Sequence, residues 1–292
     1  MIVTWKTVIK RLLVGTAVLY LAYLIPINIA LLIHAIPKLA SEGEGNSFNV
    51  SYNIAWSLHP NSVHIRGLEL NGTDQNVFWK VNIARATFNP RFRSLVQKTL
   101  LIQKLDGSDV QVSISPHTPE KKKAYLASHP KKSDEDNAKK NPIKIDISNI
   151  TLKSVNRAQV GDIRFEGDSQ IGGTFALTPG TTLKIPQSYW NIESGIVRTD
   201  EITFLNQLRT RTQVVIHPTD LKAAPGSKIF KTIDITEELS AEVLHAQIFG
   251  TVLQSYRPLI FGQSDGELKM QIAVKGGMIQ PGSTVVSEMK KL

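Results

Sequence analysis

Residues 262 to 266 read Gly-Gln-Ser-Asp-Gly, the Gly-x-Ser-x-Gly spacing of a hydrolase nucleophile elbow. In that chemistry the serine stands on a sharp turn from a strand into a helix, and a histidine later in the chain accepts its proton. Here a strand-like segment follows Ser264, and no histidine lies beyond His245. The pattern therefore predicts a turn into the last strand rather than a catalytic serine.

Other residue types that could do chemistry are present without the required spacing. The seven histidines form no His-Glu-x-x-His pair, the chain has no cysteine, and it carries no phosphate-binding glycine loop. Asp134, Glu135 and Asp136 form a carboxylate patch, but they lie in a polar segment that offers no rigid frame for acid–base catalysis. We therefore expect no catalytic residue, no cofactor and no metal, and we expect that the protein is not an enzyme.

The charge of the chain is strongly positive. The formal net charge is +9 and the isoelectric point is about 9.6, which favours anionic partners such as phospholipid head groups or nucleic acid. A solvated basic surface is the simpler alternative. The four tryptophans do not interleave with arginine and lysine as they do in an RNA-binding motif, so nucleic acid is not among the predicted partners.

Residues 12 to 36 form an uncharged, apolar segment that is long enough to cross a bilayer as a helix. Leu12, Leu19, Leu24, Ile29 and Leu32 represent its apolar surface. The preceding residues 1 to 11 form a basic stub, so the positive-inside rule predicts a cytoplasmic N-terminus and a body on the far side of the membrane.

Two alternatives remain open for this segment. A cleaved signal peptide shares the basic start and the apolar run, although the run is long for one and lacks a clear cleavage site. Asn28 and His34 could form a polar functional pair inside the membrane, or His34 could reach the interface.

A predicted linker at 37–47 precedes a first β module at 48–115, where apolar residues alternate with polar ones. The alternation changes phase at Arg66-Gly67, which indicates a β-bulge. Asn71-Gly72 and Asp106-Gly107 are dipeptides typical of turns between strands. The basic segment from Pro90 predicts one or two helical turns.

Residues 116–142 are rich in proline and charge and predict a disordered insert. A second β module is predicted at 143–292, with an amphipathic helix near 237–250 because Thr236 could cap a first turn containing Glu237 and Glu238. Together these features predict a mainly β fold, a curved antiparallel sheet shaped as a groove, with one N-terminal transmembrane helix and one short amphipathic helix.

The segments VHIRGLEL, FWKVNIARATF, PRFRSLVQKTL and LIQKLDGSDVQVSI, together with GELKMQIAVKGGMIQPGS near the C-terminus, resemble the AsmA-like proteins, bacterial envelope relatives of TamB. The resemblance implies a bacterial inner-membrane anchor, a periplasmic body and a β-groove whose apolar face takes membrane lipids, in lipid transport or envelope homeostasis. The candidate residues of that face are Val63, Ile65, Trp79, Val81, Ile83, Val110 and Val112.

Two alternatives to a lipid groove stay open. The same alternation is expected of a sandwich core that is filled by side chains. The protein could also be a non-enzymatic assembly factor of the envelope or of a secretion system, which binds protein partners through exposed sheet edges. Between these interpretations, the chain could be one end of a longer conduit that is completed by self-association or by a partner.

Overall fold

A computed structural model describes residues 5–33, 48–73, 77–117, 120, 144–178, 182–200, 202–220, 231–245 and 266–289. One long helix, α1 (Trp5–Leu32), precedes the strands and continues through Pro26. A 3-10 helix at Phe92–Gln97 follows the fourth strand, where helical turns are predicted from Pro90. The strands are β1 (Phe48–Ser51), β2 (Ile54–His59), β3 (Ser62–Thr73), β4 (Val77–Arg91), β5 (Thr99–Pro116), β6 (Lys144–Val160), β7 (Ile163–Thr178), β8 (Thr182–Arg198), β9 (Thr203–Asp220), β10 (Ile233–Val243), β11 (Gly266–Lys275), β12 (Met278–Ile279) and β13 (Thr284–Met289).

These strands form one large curved sheet, in which neighbours along the chain are mostly neighbours in space. The order runs β1-β3-β4-β5-β6-β7-β8-β9-β10-β11-β12, with β2 also paired to β3 and β13 also paired to β11. Strands from both predicted β modules therefore belong to the same sheet. A mainly β fold with a curved sheet is confirmed.

The sheet is mixed rather than purely antiparallel, because β5 and β6 run in the same direction. Thr99 pairs with Lys144 at one end and Ile114 with Val160 at the other. The chain that leaves β5 must therefore return along the strand, a distance of about 50 Å at about 3.3 Å per residue. Residues 117–143 provide this return, as a parallel pair requires a long connection. The predicted disorder of the insert lies almost entirely outside the described residues.

The helix predicted near 237–250 is wrong for its first half, because residues 237–243 belong to β10. This strand is hydrogen-bonded to β9 on one side and β11 on the other, and the two ladders outweigh the local helical pattern. Residues 246–250 lie outside the described part of the chain.

The two predicted turns at Asn71-Gly72 and Asp106-Gly107 are also wrong, since both lie inside long strands. Gly72 pairs with Trp79, whose ring occupies the space that a side chain on Gly72 would need, with a Cβ there lying 2.5 Å from the ring. At Gly107 a Cβ would lie 2.8 Å from a methyl group of Leu152. These glycines make room for large side chains on neighbouring strands.

A line of backbone bends crosses the first half of the sheet. Arg66, Arg85, Ser108 and Lys153 form one register row, and the residues that follow three of them, Gly67, Asp109 and Ser154, have positive φ angles of 63°, 58° and 52°. The change of phase predicted at Arg66-Gly67 is confirmed, but it is not a β-bulge, because the register with β4 passes from Arg66–Arg85 to Leu68–Ile83 with no extra residue on either strand. At the bends the inward residues step by three rather than two, as in the pairs Ile65 and Leu68, Gly107 and Val110, and Leu152 and Val155. The apolar side chains thus stay on one face while the sheet bends.

Among the described residues, the core forms two clusters along this face. The first joins β3 to β6 through Val63, Ile83, Val110 and Val155, and it includes Leu31 from α1. The second joins β7 to β11 around Phe165, Ile192, Leu205 and Val243.

Candidate functional site

One face of the sheet is largely apolar, and one register row on it is apolar from β1 to β11. Residues directly opposite each other on paired strands project from the same face, so the registers can be followed from strand to strand. The row that we call the long row contains Val50, Leu70, Val81, Val112, Ala158, Phe165, Val197, Leu205, Val243 and Gly266. It joins ten residues on ten strands without one polar side chain.

The other face is polar at the same level. The positions adjacent to the long row form a row of Asn71, Lys80, Ser113, Gln159, Arg164 and Arg198. Ion pairs connect this face, including Glu69 with Lys80 at 2.8 Å and Arg164 with Asp200 at 2.9 Å. The hydrogen bond from Lys80 lowers the pKa of Glu69 below its usual value. The sheet therefore has one water-compatible face and one apolar face.

A second, largely apolar row is only partly buried. This row, called the half-exposed row, contains Val63, Phe88, Leu105, Ile150, Gly173, Ser188, Val214, Ile235, Val274 and Ile279. Val63 is buried, whereas the side chains from Phe88 to Val274 are only partly buried. Seven strand spacings separate β4 from β11, about 34 Å at about 4.8 Å each. The apolar side chains of this row form two stretches, from Phe88 to Ile150 and from Val214 to Val274, with Gly173 and Ser188 between them. Exposed apolar patches of this kind are typical of binding surfaces.

The seven predicted groove residues all lie on the apolar face, but they differ in accessibility. Val63 and Val110 have no exposed surface, Ile83 is 3% exposed and Ile65 is 6% exposed. These four belong to the filled core. Trp79, Val81 and Val112 are half-buried and remain accessible from the apolar side. Accessible apolar side chains continue beyond these residues to β11, in the half-exposed row. The alternation of apolar and polar residues in the later strands is the sequence feature that predicts them.

A polar group interrupts the apolar face near its centre. Glu237 lies in register with Thr212, which in turn lies in register with Trp190. The hydroxyls of Thr210 and Thr212 each donate a hydrogen bond of 2.8 Å to the Glu237 carboxylate. These bonds satisfy both carboxylate oxygens on an otherwise apolar surface, which makes the charge tolerable there.

Helix α1 is attached to the edge strand β2 through three polar side chains. Tyr20 donates to the carbonyl of Leu58 at 2.6 Å. The Tyr23 hydroxyl lies 2.7 Å from that of Ser57. The Asn28 amide bonds both the N–H and the carbonyl of Ser57, at 2.9 and 2.8 Å. Further along, Tyr52 donates to the carbonyl of Leu31 at 2.6 Å. In the sequence, Tyr20, Tyr23 and Asn28 are recognisable only as residues with polar groups inside an apolar run.

Much of the remaining surface of α1 between Leu12 and Leu32 is apolar and exposed. Residues Leu12–Leu32 form a helical segment that is long and apolar enough to cross a membrane. Of the predicted anchor residues, Leu12, Ile29 and Leu32 are 66%, 53% and 70% exposed, and Leu24 is half-buried. The Leu19 side chain and His34 lie outside what the structure describes.

A concavity of about 730 Å³ lies against the opposite, polar face of β8 to β13. Its charged residues are Arg209, Arg211, Lys269, Glu193 and Glu238. Because cations and carboxylates alternate there, this surface is unlike the apolar face and offers no continuous site for a hydrocarbon chain.

Within the described residues no group of three or more histidines, aspartates or glutamates could hold a metal ion. Ser264 of the Gly-x-Ser-x-Gly pattern lies outside the described residues, and Gly266 begins β11, so a strand follows the pattern. Asp134, Glu135 and Asp136 also lie outside them.

The fold thus defines a two-faced curved β-sheet joined to a helix of membrane-spanning length. No protein-family model matches the chain, and no curated protein matches it.

Proposed function

We propose that this protein is a membrane-anchored, non-enzymatic lipid carrier that holds acyl chains along the apolar face of its sheet. The observation that carries this proposal is the half-exposed row, about 34 Å long at about 4.8 Å per strand, whose apolar side chains form two stretches on either side of Gly173 and Ser188. Burying apolar area is favourable by about 25 cal/mol per Å². An acyl chain on this strip would therefore be stabilised without any bond chemistry.

The attachment of α1 to the first strands supports the same function. The anchor helix packs into the first core cluster through Leu31, so the apolar face begins beside the membrane segment. By the positive-inside rule, the basic residues before the helix favour a cytoplasmic N-terminus. In a bacterial cell the anchor would lie in the inner membrane and the sheet in the periplasm, where it would serve lipid transport or envelope homeostasis. The resemblance to AsmA-like proteins is consistent with this role.

Photo-crosslinking tests lipid contact directly. A benzophenone amino acid is placed at Phe88 or Val214 on the half-exposed row, and at Gln213 on the polar face as a control next to Val214. After irradiation in intact membranes, we expect lipid adducts at Phe88 and Val214 and far fewer at Gln213. Equal labelling of both faces, or none at Phe88 and Val214, contradicts the proposal.

A second candidate function is that of an assembly factor for protein partners. It is favoured by strand β13, which pairs with β11 and leaves Val285 and Val286 63% and 52% exposed. Such an edge can accept a further strand from another chain. A crosslinker at Val286 that yields protein adducts, combined with lipid-free apolar positions, would favour this function over lipid carriage.

A further inference from the structure

At the end of β2, from Ser57 to His59, side chains of α1 bond backbone groups on the outer edge of the strand. On its other edge, β2 pairs with β3. Toward the helix, Asn28 bonds the N–H and carbonyl of Ser57, and Tyr20 and Tyr23 donate to the carbonyls of Leu58 and His59 at 2.6 and 3.0 Å. In water, a strand edge can bond to solvent. In hydrocarbon, each backbone polar group needs a protein partner.

Backbone carbonyls in the turn that follows β2 also accept hydrogen bonds from side chains of the protein. The hydroxyl of Ser57, which has no exposed surface, lies within hydrogen-bond distance of the carbonyls of His59 and Ser62, at 2.9 and 2.7 Å. The carbonyl of His59 also accepts from Tyr23. Internal bonds at a turn tip reduce its need for water.

The position of the basic residues in α1 determines the depth of the α1–β2 contacts in the membrane. Tyr20 follows Arg11 by nine residues, about 13 Å along the helix axis at about 1.5 Å per residue. The hydrocarbon core is about 30 Å thick. With Arg11 at the inner boundary, Tyr20 lies near the bilayer midplane and Leu31 near the outer boundary.

The helix cannot move outward far enough to bring β2 into water. Raising Tyr20 to the outer boundary requires a shift of about 17 Å in a core of about 30 Å, which would draw Lys6, Lys10 and Arg11 deep into hydrocarbon. Long basic side chains can extend back toward the interface, but only by their own length. Some of β2 therefore stays below the membrane surface.

The exposed side chains of β2 suit that environment. Leu58 is 58% exposed and Ile54 is 49% exposed, and Ile54–His59 contains no aspartate, glutamate, lysine or arginine. Trp56 stacks on the ring of His64, and the guanidinium of Arg66 lies 5.5 Å from the Trp56 ring centre. An amphipathic aromatic beside a cation is typical of the membrane interface.

We propose that β2 and the turn into β3 lie within the bilayer leaflet nearest the sheet, with Leu58 and Ile54 against acyl chains. The apolar face of the sheet then begins inside the membrane rather than above it. This proposal rests on the membrane anchoring proposed above, but not on lipid carriage by the rest of the sheet.

The absence of cysteine from the chain makes a direct depth measurement possible. Single variants Leu58→Cys, Ile54→Cys, Leu21→Cys and Met278→Cys of the full chain are labelled with a bimane fluorophore and placed in vesicles of phosphatidylcholine brominated on its acyl chains. Leu21 on α1 is 51% exposed and serves as the membrane control, while Met278 on β12 is 69% exposed and serves as the aqueous control.

We expect Leu58 and Ile54 probes to lose fluorescence to brominated lipid as the Leu21 probe does, and the Met278 probe to be unaffected. Quenching at Leu21 without quenching at Leu58 and Ile54 overturns the insertion of β2 and leaves the anchor intact. No quenching at Leu21 overturns the anchor and this proposal together. Because two positions on β2 are probed, the result does not depend on the folding of one variant. Circular dichroism checks that each variant is folded.

Discussion

The side-chain amide of Asn28 pairs with the backbone of Ser57 as a neighbouring strand would. It donates to the Ser57 carbonyl over 2.8 Å and accepts from the Ser57 N–H over 2.9 Å. The same amide also donates to the carbonyl of Leu24 within the helix. Asn28 therefore acts together with Tyr20 and Tyr23 in fixing the position of the helix on the sheet edge.

Replacing Asn28 with leucine should loosen this attachment. The substitution leaves the N–H and carbonyl of buried Ser57 without their partners, at about 1–3 kcal/mol for each unsatisfied group. We expect faster hydrogen exchange at the amides of β2 with little change in β7 to β9. Thr16→Val is the matched control, because Thr16 bonds only to Leu12 within the helix among the contacts that the structure describes. Equal exchange in both variants would show that Asn28 does not hold the edge.

Truncation of Ile83 tests the filled part of the apolar face. Ile83 is 3% exposed and belongs to the first core cluster, so Ile83→Ala should destabilise the protein by about 2–5 kcal/mol. The control Asn82→Ala removes the adjacent side chain from the polar face and should cost no more than about 0.5 kcal/mol. Urea unfolding of the detergent-solubilised chain measures both. Similar losses for the two variants contradict the assigned faces.

Gly173 is a position where the backbone itself excludes a side chain. Its φ angle is +150°, and a Cβ there would clash with the carbonyl oxygen of Gln187 on β8. We expect Gly173→Ala to lower the thermal midpoint markedly, through strain of about 1–3 kcal/mol. At Gly107, by contrast, the nearest atom is the end of the flexible Leu152 side chain, so Gly107→Ala should cost less. The reverse order would contradict the close packing of β7 on β8.

Asp234 on β10 links β9 to the turn after β11 in a manner that depends on pH. Its carboxylate accepts from His217 at 2.9 Å and from the N–H of Gly276 at 3.0 Å. The bond from His217, followed by that from Gly276, lowers the pKa of Asp234 below its usual value of 3.8. Because the folded pKa is the lower one, the stabilisation is present above the unfolded value and is lost as the pH falls through the folded value.

We therefore expect the protection of the Gly276 amide from hydrogen exchange, relative to the unfolded rate, to fall in acid below about pH 4. In Asp234→Asn a hydrogen-bond acceptor remains but the negative charge is lost, so the protection of the Gly276 amide should vary less with pH. A wild-type profile that is already flat through this range would contradict the assignment.

Part of the fold can be predicted from particular residues. The alternation of Leu68 and Leu70 with Glu69, or of Val110 and Val112 with Gln111, predicts strands with one apolar face. Gly67 predicts the bend, because a residue with positive φ interrupts the alternation. The prediction of a helix at 237–243 is wrong for an equally specific reason. Glu237 occupies an inward position of β10, where the hydroxyls of Thr210 and Thr212 donate hydrogen bonds to its carboxylate. A charged residue at an inward position breaks the alternation of apolar and polar residues by which a strand is recognised in the sequence.

The apolar N-terminal helix and the two-faced character of the strands follow from the order of residues along the chain, because both are local patterns. The tertiary structure separates the predicted groove residues into filled core and accessible surface, since that division depends on what packs across the face. It also decided the parallel pairing of β5 with β6 and the partners of Tyr20, Tyr23 and Asn28. Those contacts join residues far apart in the chain, and no local pattern encodes them.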